Sequence, residues 1–302
     1  MDEYNSSRSS KKATSKQIPQ EIIDQFIDHL YNDRETLRTC ALVCRAWVTS
    51  SRYHLFGVVK IFPPKFFDQS SRYSGLIGHL DHPLCTFASS VRELNINAPT
   101  NNASGHLEPQ FLYDDWLDPL IPYLSKLVSV KTLVGIEVGG WRNNHWRLLF
   151  KSTSFVIQIT HLSLIYSNFV SFEQYMETIH SFPSLESLEC IDNNYRLGGD
   201  YDLVDDECSL PVIFPPPPSL RILDTYFHSN GHLRQIWRWL HQCQTRLSII
   251  KLGTNAFNYI SARELSTLNQ YLQFLGPSLE ILQTGFETAS TICEFLVDHA
   301  LE

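Results

Sequence analysis

Apolar residues recur along this chain in two rhythms, and the change from one to the other falls near residue 57. Before it, Ile22, Ile23, Phe26, Ile27 and Leu30 fall at helical spacing and predict one wide apolar face. Pro19 suits the first turn of that helix, where its missing N–H costs nothing, and Glu21 and Asp24 favour the same end through the helix dipole. Asn32 and Glu35 have the spacing of a capping pair and predict the start of a second helix. On it Leu37, Cys40, Ala41 and Cys44 form a stripe that Leu42 and Val43 widen. Arg45, Ala46 and Trp47 open a third helical run through Phe56, which Gly57 ends. Val58, Val59, Ile61 and Phe62 then predict a short strand. Residues 1–16 are polar and aperiodic and predict a mobile tail, with Lys11, Lys12 and Lys16 solvated in it.

Beyond residue 57 the rhythm is longer. Pairs of apolar residues three apart recur as Val91/Leu94, Val130/Leu133, Ile159/Leu162, Leu185/Leu188, Leu220/Leu223, Leu247/Ile250 and Leu279/Leu282. Their second members lie 26 to 39 residues apart, about 31 on average. The tripeptide Pro-Ser-Leu precedes three of these segments, at Pro183, Pro218 and Pro277. Amphipathic helical stretches lie between or after them, at 169–182, 233–243, 262–275 and 292–301. A strand and a helix repeated at this period predict an α/β solenoid over 58–302, each unit burying its apolar face on its neighbours. One unit, Leu247, Ile250, Leu252, Asn255 and Phe257, has the full L-x-x-L-x-L-x-x-N-x-L spacing of a leucine-rich repeat; Leu185, Leu188, Cys190 and Asn193 come near it. An asparagine there is expected to satisfy turn backbone groups that the strands leave unpaired. An ordinary α/β domain whose strands begin with leucines is the other arrangement this spacing allows.

Composition narrows the function. Hydrophobic residues make up 43% of the 302 positions and charged residues 19%, so the chain reads as globular. The net charge of -8 argues against nucleic acid as a partner, because phosphate contacts need a clustered basic face. Cys40, Cys44, Cys85, Cys190, Cys208, Cys243 and Cys293 are odd in number and scattered; with no signal peptide they predict reduced thiols in the cytoplasm or nucleus. The glycosylation-like triplets at Asn5 and Asn102 are then chance matches. No apolar run approaches the roughly 20 residues of a membrane span.

The run Ile18-Pro19-x-Glu21-Ile22-Ile23, followed by Leu30, Leu37 and Val43-Cys44-Arg45-x-Trp47, resembles the F-box. Ile18 and Ile23 stand where that family's pattern has leucine, both volume-conserving changes. The likeness covers residues 17–57, and a leucine-rich array directly after it resembles a frequent arrangement in the same family. The resemblance implies a three-helix module docking on a Skp-type adaptor and, through it, on a cullin. Its contacts map to Ile18, Pro19, Ile22 and Ile23 on the first helix, and to Leu37, Ala41, Val43, Cys44 and Trp47 on and after the second. For Leu30, Leu42 and Trp47, module core and docking surface are both open.

The implied function is that of a substrate-recognition subunit of a Skp–cullin–F-box ubiquitin ligase, with an unidentified protein target on the array; a non-ligase interaction scaffold is the alternative. The chain carries no phosphate-binding loop, G-x-S-x-G, H-E-x-x-H or paired C-x-x-C, so neither catalysis nor a cofactor is expected. Cys40/Cys44, His79/His82 and His228/His232 have ligand-like spacing but no further ligands nearby, and Gly139-Gly140 and Gly198-Gly199 read as turns. The prolines 215–218 are expected to stiffen the entry to the strand at Leu220 rather than to serve as a polyproline ligand. The acidic stretch Asp200, Asp202, Asp205, Asp206 and Glu207 reads as a solvated insertion. Trp116, Trp141, Trp146, Trp237 and Trp239 lie in the array; Trp237 and Trp239 do not share a helical face, so one of them is expected in solvent or at an interface, with packing between helix and strand layers the equally simple alternative.

Overall fold

The computed structural model describes residues 18–62, 72–97, 117–136, 149, 152–169, 171–191, 193–195, 214–226, 231–253 and 262–284. The tail, the acidic stretch 200–207, Trp116, Trp141, Trp146, both glycine pairs, Asn255, Phe257, His228, Cys208, Cys293 and the helical stretch 292–301 lie outside them. The chain divides into two compact units, Met1–Leu55 and Phe56–Glu302, two residues before the boundary expected at 57/58.

The first unit holds α1 (Gln20–Asp28), α2 (Arg34–Val43) and α3 (Arg45–Phe56). Pro19 precedes α1, and its carbonyl accepts the Ile22 and Ile23 N–H groups at 3.2 and 3.3 Å. The cap of α2 differs from the expected Asn32/Glu35 pair: Asp33 occupies it and accepts from Thr36 N and Oγ1 at 3.0 and 2.6 Å. A carboxylate one residue nearer the helix reaches the free N–H groups directly, so the expected pair has no role there. Extended backbone at Cys44 separates α2 from α3. Ile23, Ile27, Leu37, Cys40 and Leu55 form the buried interior.

A polar ladder joins α1 to α3. Gln20 donates to the Ala46 carbonyl at 3.0 Å, Ser50 Oγ donates to Asp24, and Asp28 pairs with His54 Nε2 at 2.8 Å. Residues at i, i+4 and i+8 on one helix thus meet the same progression on the other, which sets the two side by side in the same direction. The hydroxyls of Ser50 and Thr36 hold the Asp24 and Asp33 carboxyls below the usual carboxylate range. A lowered folded-state pKa contributes stability above the unfolded value, about 4, and loses it as pH falls through the folded value. The helical unit is therefore expected to weaken below about pH 4; helical circular dichroism through an acid titration would show it, and Asp24→Asn with Asp33→Asn should flatten the response.

The second unit is α/β and, among the described residues, has eight parallel strands in chain order except where two short strands are set aside. They are β1 (Val58–Ile61), β2 (Glu93–Asn97), β3 (Thr132–Ile136), β4 (His161–Ile165), β6 (Ser187–Ile191), β8 (Ile222–Tyr226), β9 (Ile249–Gly253) and β10 (Ile281–Thr284). The short pair β5 (Asn168–Phe169) and β7 (Asn194–Tyr195), unforeseen from sequence, forms a second parallel ladder. Register puts Val59, Leu94, Leu133, Leu162, Leu188, Leu223, Ile250 and Leu282 in one row across the sheet. The inner six of that row, and the preceding Val91, Val130, Ile159, Leu185, Leu220 and Leu247, are buried. The three-residue spacing thus marks strand entry: the first apolar residue anchors the turn and the second opens the sheet's interior face.

Entry is the same at the seven strands that follow β1 in the large sheet. One carbonyl, in turn Gly57, Arg92, Lys131, Thr160, Glu186, Arg221 and Ser248, accepts two successive N–H groups from the next strand's start, at 2.8–3.1 Å. The Pro-Ser-Leu tripeptides are turns: Leu185, Leu220 and Leu279 N–H donate to Phe182, Pro217 and Gly276 carbonyls, with proline at the second turn position that favours its fixed φ. Ser219 Oγ also donates to the Pro183 carbonyl, tying one tripeptide to the next at 3.1 Å. Between the strands run α4 (Arg72–Asp81), α5 (Ile121–Leu124), α6 (Thr153–Gln158), α7 (Phe172–His180), α8 (Gly231–Gln242) and α9 (Ala262–Leu275).

Both tryptophans of α8 are buried, which is the packed one of the two arrangements that the sequence leaves open. Trp237 stacks on Tyr271 of α9 with ring centroids 5.8 Å apart. Trp239 meets Phe172 of α7 edge-on and donates its Nε1–H to the Phe214 carbonyl at 2.8 Å. The helix is covered on two sides, so two faces are apolar. The prolines 215–218 serve as the stiff entry expected of them: Pro216 and Pro217 are buried, and the Pro215 carbonyl accepts from His180 Nδ1 at 2.8 Å.

Candidate docking surface

In the first unit the structure separates the expected docking residues into three groups. Ile18, Pro19, Ile22, Val43 and Cys44 are exposed, Ala41 and Trp47 are half-buried, and Ile23 and Leu37 belong to the unit's interior. The assignment of Ile23 and Leu37 to the surface is corrected: three packed helices need an inner stripe, and in α1 Ile23 and Ile27, four apart, supply it. Leu42, undecided from sequence, is 87% exposed, and Leu30 is half-buried. Phe26, read only as part of the apolar face, is 54% exposed.

These residues make two apolar groups. Ile22 and Phe26 lie four apart on α1, with Ile22 54% exposed, and Ile18, 63% exposed, precedes that helix. Leu42 and Val43 end α2, with Val43 59% exposed. Trp47 lies three residues past Cys44, and its ring centroid is 5.8 Å from that of Phe26. A folded unit this small has little reason to present five large apolar side chains unless a partner covers them. The signal for Phe26 and Leu42 was present in the sequence as an apolar face wider than one interior can bury.

Metal chemistry finds no support. Cys40 is buried and Cys44 exposed, so one ion does not reach both thiols from one environment, and His82 Nδ1 accepts from Leu84 N in a turn. Among the described residues no group of three or more His, Cys, Asp or Glu could hold a metal ion, and no helix is long and apolar enough to cross a membrane.

In the second unit, Asn193 does what an asparagine at that repeat position was expected to do. It is buried, and its Oδ1 accepts from the Ser167 backbone N–H of the neighbouring repeat at 2.9 Å. Beside it the Cys190 thiol is pushed up to about 12 by burial, against the pull of hydrogen bonds from Tyr175 and Asn193. A raised pKa contributes stability that is whole below the unfolded thiol value and is lost as pH rises through about 12. Cys190 is expected to resist iodoacetamide at neutral pH in the folded chain while exposed Cys44 is alkylated. Peptide mapping that found Cys190 alkylated as fast as Cys44 would contradict this packing. No protein-family model matches the chain, and no curated protein matches it.

Proposed function

We propose that the chain is a substrate-recognition subunit of a Skp–cullin–F-box ubiquitin ligase. The observation that carries the reading is the apolar surface of Ile18, Ile22, Phe26, Leu42 and Val43 on a three-helix unit whose own interior is already filled by Ile23, Ile27, Leu37, Cys40 and Leu55. It suits an apolar groove on a Skp-type adaptor. The in-register leucine row, the repeated strand entry and the buried Asn193 support a leucine-rich-repeat-like solenoid as the target-binding part. Unpaired Cys40, Cys44, Cys85, Cys190 and Cys243 suit a reducing cytoplasmic or nuclear setting. Function is positional: the adaptor and cullin hold the chain, the chain holds a target, and the target's lysines gain a high effective concentration at the charged enzyme.

The test is retention of adaptor and cullin on the full chain, compared with a variant altered at Ile22 and Leu42. Adaptor with cullin, lost together in the variant, supports the reading. Adaptor without cullin makes the chain a scaffold outside any ligase, and retention of neither removes the proposal.

A further inference from the structure

Side chains alternate along a strand, so the first, third and fifth positions of these strands face away from the leucine row. The third positions form a continuous line in register: Lys60, Asn95, Val134, Ser163, Glu189, Asp224, Lys251 and Gln283. Its middle holds an adjacent pair of carboxylates. Glu189 and Asp224 are nearest neighbours on adjacent strands, two like charges side by side. Lys251 Nζ lies 3.3 Å from Asp224 Oδ2 and answers one of them. Among the described residues no cation answers Glu189.

Farther along the line, Asn95 and Ser163 are 8% and 6% exposed, and Asn95 Oδ1 and Ser163 Oγ have no hydrogen-bond partner. Buried polar groups are normally paired, so an unmet amide oxygen and an unmet hydroxyl in the row of Glu189 mark a polar line short of partners. An apolar row flanks the line on one side, where Ile136, Ile165, Ile191 and Tyr226 hold the fifth positions; on the other side Ser187 and Ile222 hold the first positions beside the acidic pair. Two carboxylates are too few to hold a metal ion.

We propose that this line seats a segment of a partner protein carrying a lysine or arginine between apolar side chains, the cation at Glu189 and its neighbours on the Ile165, Ile191 and Tyr226 shelf. The commitment follows from charge complementarity: among the described residues the unmatched charge is the Glu189 carboxylate, and an apolar shelf lies on one side of it. The inference rests on the proposed function only in taking the partner to be the target that the ligase would modify.

The probe is a random-sequence peptide library panned on the immobilised full chain. Selected peptides are expected to carry Lys or Arg beside apolar residues. Glu189→Gln should weaken them about tenfold or more. Glu189→Lys should abolish their binding and restore it to peptides in which the basic residue is exchanged for Glu. Because both substitutions remove a like-charge neighbour of Asp224, thermal unfolding midpoints at or above the parent's are expected. Peptides without cationic preference, acidic peptides, no selected peptides, or affinity unchanged in Glu189→Gln would each overturn the assignment. Adaptor retention is measured on the same material: loss of peptide with adaptor kept counts against this surface alone, and loss of adaptor with peptide kept counts against the ligase reading alone.

Discussion

Ile22→Asp combined with Leu42→Lys should abolish adaptor capture while leaving the chain folded. Both side chains are more than half exposed, so neither removal opens a cavity. The charges are chosen for their positions. Aspartate near the N-terminal end of α1 and lysine near the C-terminal end of α2 each sit at the favourable pole of the helix dipole. Surface changes of this kind shift stability by about 0.5 kcal/mol or less. Docking is another matter, because each apolar anchor at an interface centre is worth about 2 kcal/mol or more. Losing both weakens capture by about a thousandfold, before the cost of burying two charges is counted. Pull-down with an unchanged unfolding midpoint is the measurement, and undiminished capture would refute the surface. Ile23→Asp would not serve as the test, because burying a carboxylate in the helical interior unfolds the unit and removes capture for an unrelated reason.

Leu188→Ala should cost about 3 kcal/mol in the second unit. Leu188 is 1% exposed and sits mid-row, paired in register with Leu162 on one side and Leu223 on the other. Truncation leaves a cavity between two strands that are themselves fixed by main-chain ladders, so the gap has little freedom to collapse. In a sheet built by adding each strand to the last, a weakened middle strand affects both flanks. Equilibrium denaturation of the full chain would read it, and a loss below about 1 kcal/mol would mean the row is not packed as described.

Much of the fold was legible because it rests on short-range regularity. The seven apolar pairs marked strand entry, Pro-Ser-Leu marked turns, and the period of about 31 residues anticipated parallel strands in chain order. Asn193 could be assigned its task because an asparagine at that spacing has a turn to satisfy. The α2 cap was misplaced by one residue because Asn32 and Asp33 are both good caps, and only backbone geometry chooses between them. Trp237 and Trp239 stayed open between exposure and packing because helical periodicity assumes a single covered side, whereas α8 lies against α9 and against Phe172 and Phe214. The α1–α3 ladder left a trace in the sequence: Gln20, Asp24 and Asp28 share the four-residue spacing of Ala46, Ser50 and His54.

By itself, then, the amino-acid order determined the first three helices, the later helices near 172, 233 and 262, the entries of the main strands, and that the first helices hold more apolar surface than their interior can cover. Periodicity, turn chemistry and volume are local properties, readable one window at a time. Only the tertiary structure decided which side of α1 that excess occupies, sending Ile23 inward and Ile22 and Phe26 outward, and which strands bring Glu189 beside Asp224. Those outcomes depend on partners 26 to 35 residues away in the chain, and the choice between two apolar neighbours on one helix is made by what packs against them.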